Sequence, residues 1–311
     1  MIRDGIEPMA RECSLSEREA RRYLDRIAPL GLTSETPAVP RLASREAIHD
    51  LRVACRRARV FLAEFGDNLP AGAQRKARNL MSKIVRRLGE ARELDVSLAL
   101  LRERVAPDTE QRLASEFTVL RLEMDRFAAQ EDVNAVDTIL ESGKFADIVA
   151  RLRTGFQPST ACHLRHARGR LRKRFGKVQD FYRTWRDSGL DEDLHLLRIR
   201  LKTFRYAIEI YRSIYGKRAD RFLEMLASAQ EALGRWHDLR CLHARVARAE
   251  RDAPRELRAA VARLAEAMDA DVTVLLANVD VELDAFFSKR AIKKHRELFD
   301  DPSRACCRGA R

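Results

Sequence analysis

The stretch HDLRVACRRAR, His49 to Arg59, sets a His and then Arg at i+3, i+7 and i+10. On an ideal helix with His49 at zero, Arg52, Arg56 and Arg59 fall at about −60°, −20° and −80°. Leu51, Ala58, Leu62 and Phe65 fall between about 160° and 220°, on the far side. The segment is therefore read as a helix with an apolar face and a cationic face. Ser44 is its N-cap candidate and Glu46 the acid of its first turn.

The pattern recurs. HLLRIRLKTFR, His195 to Arg205, repeats His, Arg, Lys and Arg at the same spacing, 146 residues on. The offset pairs His49 with His195, Arg52 with Arg198, Arg56 with Lys202 and Arg59 with Arg205. A second landmark follows each copy: LGEARELD at Leu88–Asp95 and LGRWHDLR at Leu233–Arg240, 145 residues apart. Two landmarks in one order, one indel apart, indicate an internal duplication.

Helical periodicity dominates the 311 residues, and 13 Gly and 9 Pro leave long stretches without a breaker. Helices are expected over 14–28, 45–66, 71–105, 108–130 and 134–153 in the first half. In the second they are expected over 160–187, 190–215, 218–248, 254–287 and 289–298. The fold class is all-α: two pseudo-symmetric four-helix bundles. The division is 1–13 as an N-terminal extension, 14–156 and 157–300 as the two halves, and 301–311 as a tail. Gln157-Pro158-Ser159 marks the boundary, and 31–43 is a loop.

Lys and Arg number 60 against 47 Asp and Glu, a formal charge of +13, and Arg supplies 50 of the 60. Arg grips phosphate bidentately where Lys acts as a point charge, so the balance points to polyanionic partners. Charge is also segregated: 51–63, 68–89, 148–179 and 194–208 hold no acid. These windows coincide with the duplicated motif helices and suggest a built positive surface.

The six Cys form no CxxC pair, and Cys55 and Cys241 read as small core residues. The N-terminus has no apolar signal-peptide core and no apolar run is long enough for a bilayer, so a reducing cytoplasm is expected. No His cluster has metal-ligand spacing, His237-Asp238 being the weak exception. No metal and no cofactor are expected, nor an obligate protein partner or a membrane.

These motifs resemble the CHAD family, the conserved histidine α-helical domain. The likeness rests on IHDLRVACRRAR, on LHLLRIRLKTFRYAIEIY and on the two LG elements, and it spans residues 14 to 300. It implies basic faces lining a central groove or pore, binding of inorganic polyphosphate at cytoplasmic polyphosphate granules, and no catalysis. Carried over residue by residue, the polyphosphate-binding set is His49, Arg52, Arg56, Arg59, His195, Arg198, Lys202 and Arg205. Tyr206, Glu209 and Tyr211 complete the second motif helix. Val60 stands where Tyr206 does, and Trp236-His237-Asp238 departs from the usual Arg-Asp pattern.

Charge and helical register add Lys83, Arg86, Arg168 and Arg172 as secondary polyphosphate-binding candidates. A solvated face would intermix Glu at i,i+4, which the stripes lack, and a bound polyanion offsets their repulsion. His49 and His195 read equally as helix-start residues and as phosphate contacts. Leu88-Gly89 and Leu233-Gly234 read as close-packing points, with Glu93, Asp95 and Asp238 orienting Arg or relieving repulsion. The main alternative is a helical protein gripping an RNA or DNA backbone. Against it, single strands want stacking aromatics, and Phe61, Phe65 and Phe204 point to the core. Histidine phosphotransfer is the weaker alternative.

Overall fold

The computed structural model describes residues 42, 44–104, 108–155 and 163–300. The expected helix at 14–28, the boundary at 157–159 and both chain ends lie outside them, as does the 31–43 loop apart from Leu42. No strand occurs among the described residues.

Local chemistry starts the helices where the sequence places them. Helix α1 (Arg45–Glu64) is capped by Ser44, whose Oγ accepts from the Ala47 N–H at 3.0 Å. Its buried side is Ile48, Leu51, Cys55, Ala58, Phe61 and Leu62. Helix α2 (Ala71–Arg102) follows Pro70 and buries Met81, Ile84, Leu88, Leu94 and Leu98. Helix α3 (Thr109–Ala128) is capped by Asp108, whose Oδ1 accepts from the Gln111 N–H at 2.8 Å.

The helix expected over 134–153 is two, α4 (Gln130–Glu141) and α5 (Lys144–Thr154). They break at Gly143, whose φ of 70° only glycine adopts at little cost. The second half runs α6 (His163–Ser188), α7 (Asp191–Ile210), α8 (Lys217–Asp252), α9 (Arg255–Phe287) and α10 (Lys289–Asp300). The segment expected to be helical to 215 stops at Ile210 and resumes as one turn, Arg212–Tyr215.

Helices α1, α2 and α3 begin at 45, 71 and 109, and α7, α8 and α9 at 191, 217 and 255, each 146 later. In the first half α2 packs on α1 and α3, and α4 and α5 fold back on α2. In the second, α6 packs on α7, α7 on α8 and α8 on α9. Between halves α1 lies on α7, α2 on α8 and α3 on α9, so each helix meets the one at its own offset. Ion pairs mark all three crossings: Arg57–Glu209 at 3.2 Å, Arg245–Glu90 at 2.8 Å and Arg263–Glu110 at 2.6 Å. Such surface pairs are worth about 0–1 kcal/mol each, so the apolar core holds the crossings together.

One crossing has a buried ionic lock. The Glu64 side chain is fully buried, and its carboxylate accepts from Arg174 Nε at 2.6 Å and from the Tyr211 hydroxyl at 2.9 Å. This joins α1 to α6 and to the end of α7. Burial, then the Glu64 charge, hold the Tyr211 phenol protonated. The tail helix is anchored by His295, whose ring lies 4.7 Å from those of Phe222 and Phe286 and bonds the Phe286 carbonyl at 3.1 Å. Burial lowers its pKa, which keeps that imidazole neutral.

Candidate functional site

Because α1 lies on α7, the cationic faces of the two motif helices meet. Arg56 is the meeting point. Its charge acts on His49 and Arg52 of its own helix and on His195, Arg198 and Lys202 of the other half. In each of these groups burial is the first cause of a lowered pKa, and neighbouring cations add to it. Lys202 is affected most clearly. Burial, then Arg198 and Arg56, push its ammonium from 10.5 down to about 7. Neither Arg56 nor Lys202 makes a hydrogen bond or ion pair among the described residues.

The LG elements on α2 and α8 complete the cluster. Arg92 acts on His49 and Arg52, while its counterpart His237 lies beside His195 with tilted rings whose centroids are 4.8 Å apart. The two Nδ1 atoms lie 3.4 Å apart, so one ring can donate to the other when only one Nδ1 carries a proton. Burial, then Arg198, hold His237 down to about 3, so the imidazole is neutral. Asp238 lies 3.7 Å from Arg198, whose buried Nε has no hydrogen-bond partner. Glu93 sits in the equivalent place beside Arg52, raising its pKa against burial and the nearby Arg charges. The acids of the LG elements thus temper the repulsion without cancelling it.

The remaining motif residues are placed unevenly. Arg52 is buried and its guanidinium donates to the Val85 carbonyl of α2. Burial, then Arg56, lower it to about 10. A Cβ on Gly89 would lie 3.4 Å from that guanidinium, an ordinary contact, so the LG element packs directly against the Arg side chain. Arg59 is exposed and His195 half-buried; His49 is exposed overall, its ring losing only part of its water beside the neighbouring groups. Arg205 is paired with Glu209 at 2.9 Å and Gln230 at 3.2 Å. The expectation that the stripes lack an i,i+4 acid therefore fails at its end: Glu209 serves both Arg205 and Arg57. Cys55 is core, as expected, whereas Cys241 is only half-buried, its Sγ 3.7 Å from His237 Nε2. Among the described residues no group of three or more His, Cys, Asp or Glu could hold a metal.

A match to the CHAD domain covers residues 32–247, about two thirds of the chain. The chain belongs to the CHAD domain family. Among solved structures, the CHAD domain from the plant Ricinus communis superposes with a TM-score of 0.54 at 20% identity, covering 95% of this chain and 91% of that one. PptA from Streptomyces chartreusis gives 0.60 at 18% identity, covering 89% of this chain and 98% of that one. These likenesses are of fold. No curated protein sequence matches.

On this CHAD fold, Lys83 and Arg86 are exposed on α2 and take no part in the central cluster. Arg172 is exposed on α6 and Arg168 half-buried there. Asp95 is 3% exposed and ties α2 to Arg126 of α3 at 2.9 Å and to Arg45 at 3.6 Å, a structural role. Sequence reading passed over Arg92. The 145-residue offset that pairs it with His237 is the signal that finds it.

Proposed function

We propose that this CHAD protein binds inorganic polyphosphate along the central cluster and does so without catalysing a reaction. The observation that carries the reading is the convergence of Arg56 and Lys202. Two unpaired cations from opposite halves press on each other and on Arg198, and Lys202 loses most of its preference for the charged form. An anion seated between them removes that cost. Membership of a family whose members bind polyphosphate supports the same ligand.

Phosphate units offer oxygens and charge, and no bases. Arg56, Arg92 and Arg198 present planar forks for non-bridging oxygens, with Lys202 as a point charge between them. Phe61, Phe65 and Phe204 are buried, so the cluster gives no platform on which bases could stack. Among the described residues no helix is long and apolar enough to cross a membrane. The reading extends to residence at polyphosphate granules in the cytoplasm, where a polyanion-binding module would be retained by its ligand.

Titration with long-chain polyphosphate over a salt series tests the reading. Each phosphate contact steepens log K against log salt by roughly 0.7, the single-strand value. Arg56→Gln with Lys202→Gln should weaken binding and flatten the slope by roughly 1.4. RNA at equal charge concentration should fail to displace polyphosphate. Unchanged affinity and slope in the double variant would reject the central site.

A further inference from the structure

A second basic concavity lies between α6 and α7, away from the central cluster. It encloses about 460 Å³ and is lined by Arg170, Lys173, Arg174, Lys177 and Arg200, with no acid in its wall. That volume falls within the range of about 300–1,000 Å³ usual for small-ligand sites. On α7, Arg200 sits about 160° around the helix from Lys202, so the two cannot serve one bound group.

The five cations divide into two jobs. Arg170 donates to the Ala63 carbonyl at 2.7 Å and lies 3.4 Å from Asp67, and Arg174 is committed to Glu64. These two fasten α6 to the end of α1 and shape the groove. Lys173, Lys177 and Arg200 are exposed and have no acidic partner among the described residues. Lys173 and Lys177 are like charges at i,i+4, a pairing that costs stability unless an anion offsets it. The Arg200 guanidinium lies 4.8 Å from the Phe181 ring centroid. Orientation by a ring leaves its N–H donors available, where an acid would have consumed them.

The lining cations of α6 run from Arg170 to Lys177, and the next acid along the helix, Asp180, is already paired with Arg183 at 2.6 Å. Along α6 the stretch from Arg170 to Lys177 is about 10 Å. The open cations of the groove are not repeated in the sequence: the 146-residue offset puts Ile27, Gly31 and Ala54 opposite Lys173, Lys177 and Arg200. Its open cations thus come from the second half alone, whereas the central cluster draws on both. Arg168 and Arg172, picked from charge and register, fall on another face of α6.

The geometry points to an independent anion site in this groove that takes a short inorganic phosphate chain, a few units long. Lys173 and Lys177 neutralise successive units, and Arg200 forks onto the oxygens of one. A long chain need not thread the central cluster to engage it.

Calorimetric titration with tripolyphosphate at low salt tests this. The wild-type protein should take up two equivalents. The exposed-side-chain variant Lys173→Gln/Lys177→Gln/Arg200→Gln should keep its helical circular dichroism and take up one. The salt slope of the lost step should be roughly 2, three contacts at about 0.7 each. Arg56→Gln/Lys202→Gln should keep the groove equivalent. Two equivalents retained in the triple variant, or a single wild-type equivalent that it leaves untouched, overturns the groove. Loss confined to the triple variant upholds the groove and rejects the central reading instead.

Discussion

Lys202 offers a direct measurement of the central cluster. Its ammonium is held down to about 7, by burial first and then by Arg198 and Arg56. At pH 8.5 the free protein therefore carries Lys202 largely neutral. A polyphosphate chain bound beside it supplies the missing counter-charge and returns the pKa towards its ordinary 10.5. Binding at pH 8.5 should then take up close to one proton per site. His49 and His195 contribute nothing there, because both are lowered from 6.5 and stay neutral.

The size of the effect follows from linkage. With a free pKa of about 7 and a bound one near 10.5, affinity should fall about 15-fold between pH 7 and 8.5, or about 1.6 kcal/mol. The assay is calorimetry at pH 8.5 in buffers of different ionisation enthalpy, where the slope counts protons. A slope near one in the wild type and near zero in Lys202→Met is expected. A zero slope in the wild type, or a slope surviving in Lys202→Met, refutes the reasoning.

Stability carries the same signature with a definite sign. The folded pKa lies below the unfolded one, so the unfolded chain binds more protons between about pH 7 and 10.5. The contribution of Lys202 to stability therefore rises with pH across that window. Ligand-free Lys202→Met should be more stable than wild type at pH 6, by no more than roughly 5 kcal/mol. The gap should close by pH 10, as followed by urea unfolding. Arg174→Met leaves the Glu64 carboxylate buried without its charged partner and should cost roughly 3–5 kcal/mol in the same assay. Gly143→Ala meets no neighbour, so its cost of about 1 kcal/mol should come from the left-handed backbone alone. Burial pushes the Cys55 thiol up to about 12 and the Cys241 thiol to about 11. Both should resist a thiol reagent at pH 8 in the native protein and react once urea unfolds it.

Helix identity, start positions and the core side of α1 were legible because each depends on neighbours within a few residues. Ser44 caps α1, and Leu51, Ala58, Leu62 and Phe65 are buried as the 100° spacing requires. The offset of 146 reappears in the starts of α7, α8 and α9 because a repeated pattern of caps and apolar positions restarts helices in the same register. The break at Gly143 was missed. Apolar periodicity runs on from α4 into α5 and outweighs the turn signal of Ser142-Gly143, which the left-handed backbone at Gly143 makes plain.

Which cations stay open could not be read from spacing. Arg52, Arg56 and Arg59 share one stripe, yet Arg52 is spent on the Val85 carbonyl, Arg56 faces the other half and Arg59 points to solvent. The difference arises from α2 and α7, which approach that stripe from elsewhere in the chain. The same is true of the α6–α7 groove. Periodicity places a residue on a face, but the charge a face presents depends on which distant carbonyls, acids and rings are packed against it.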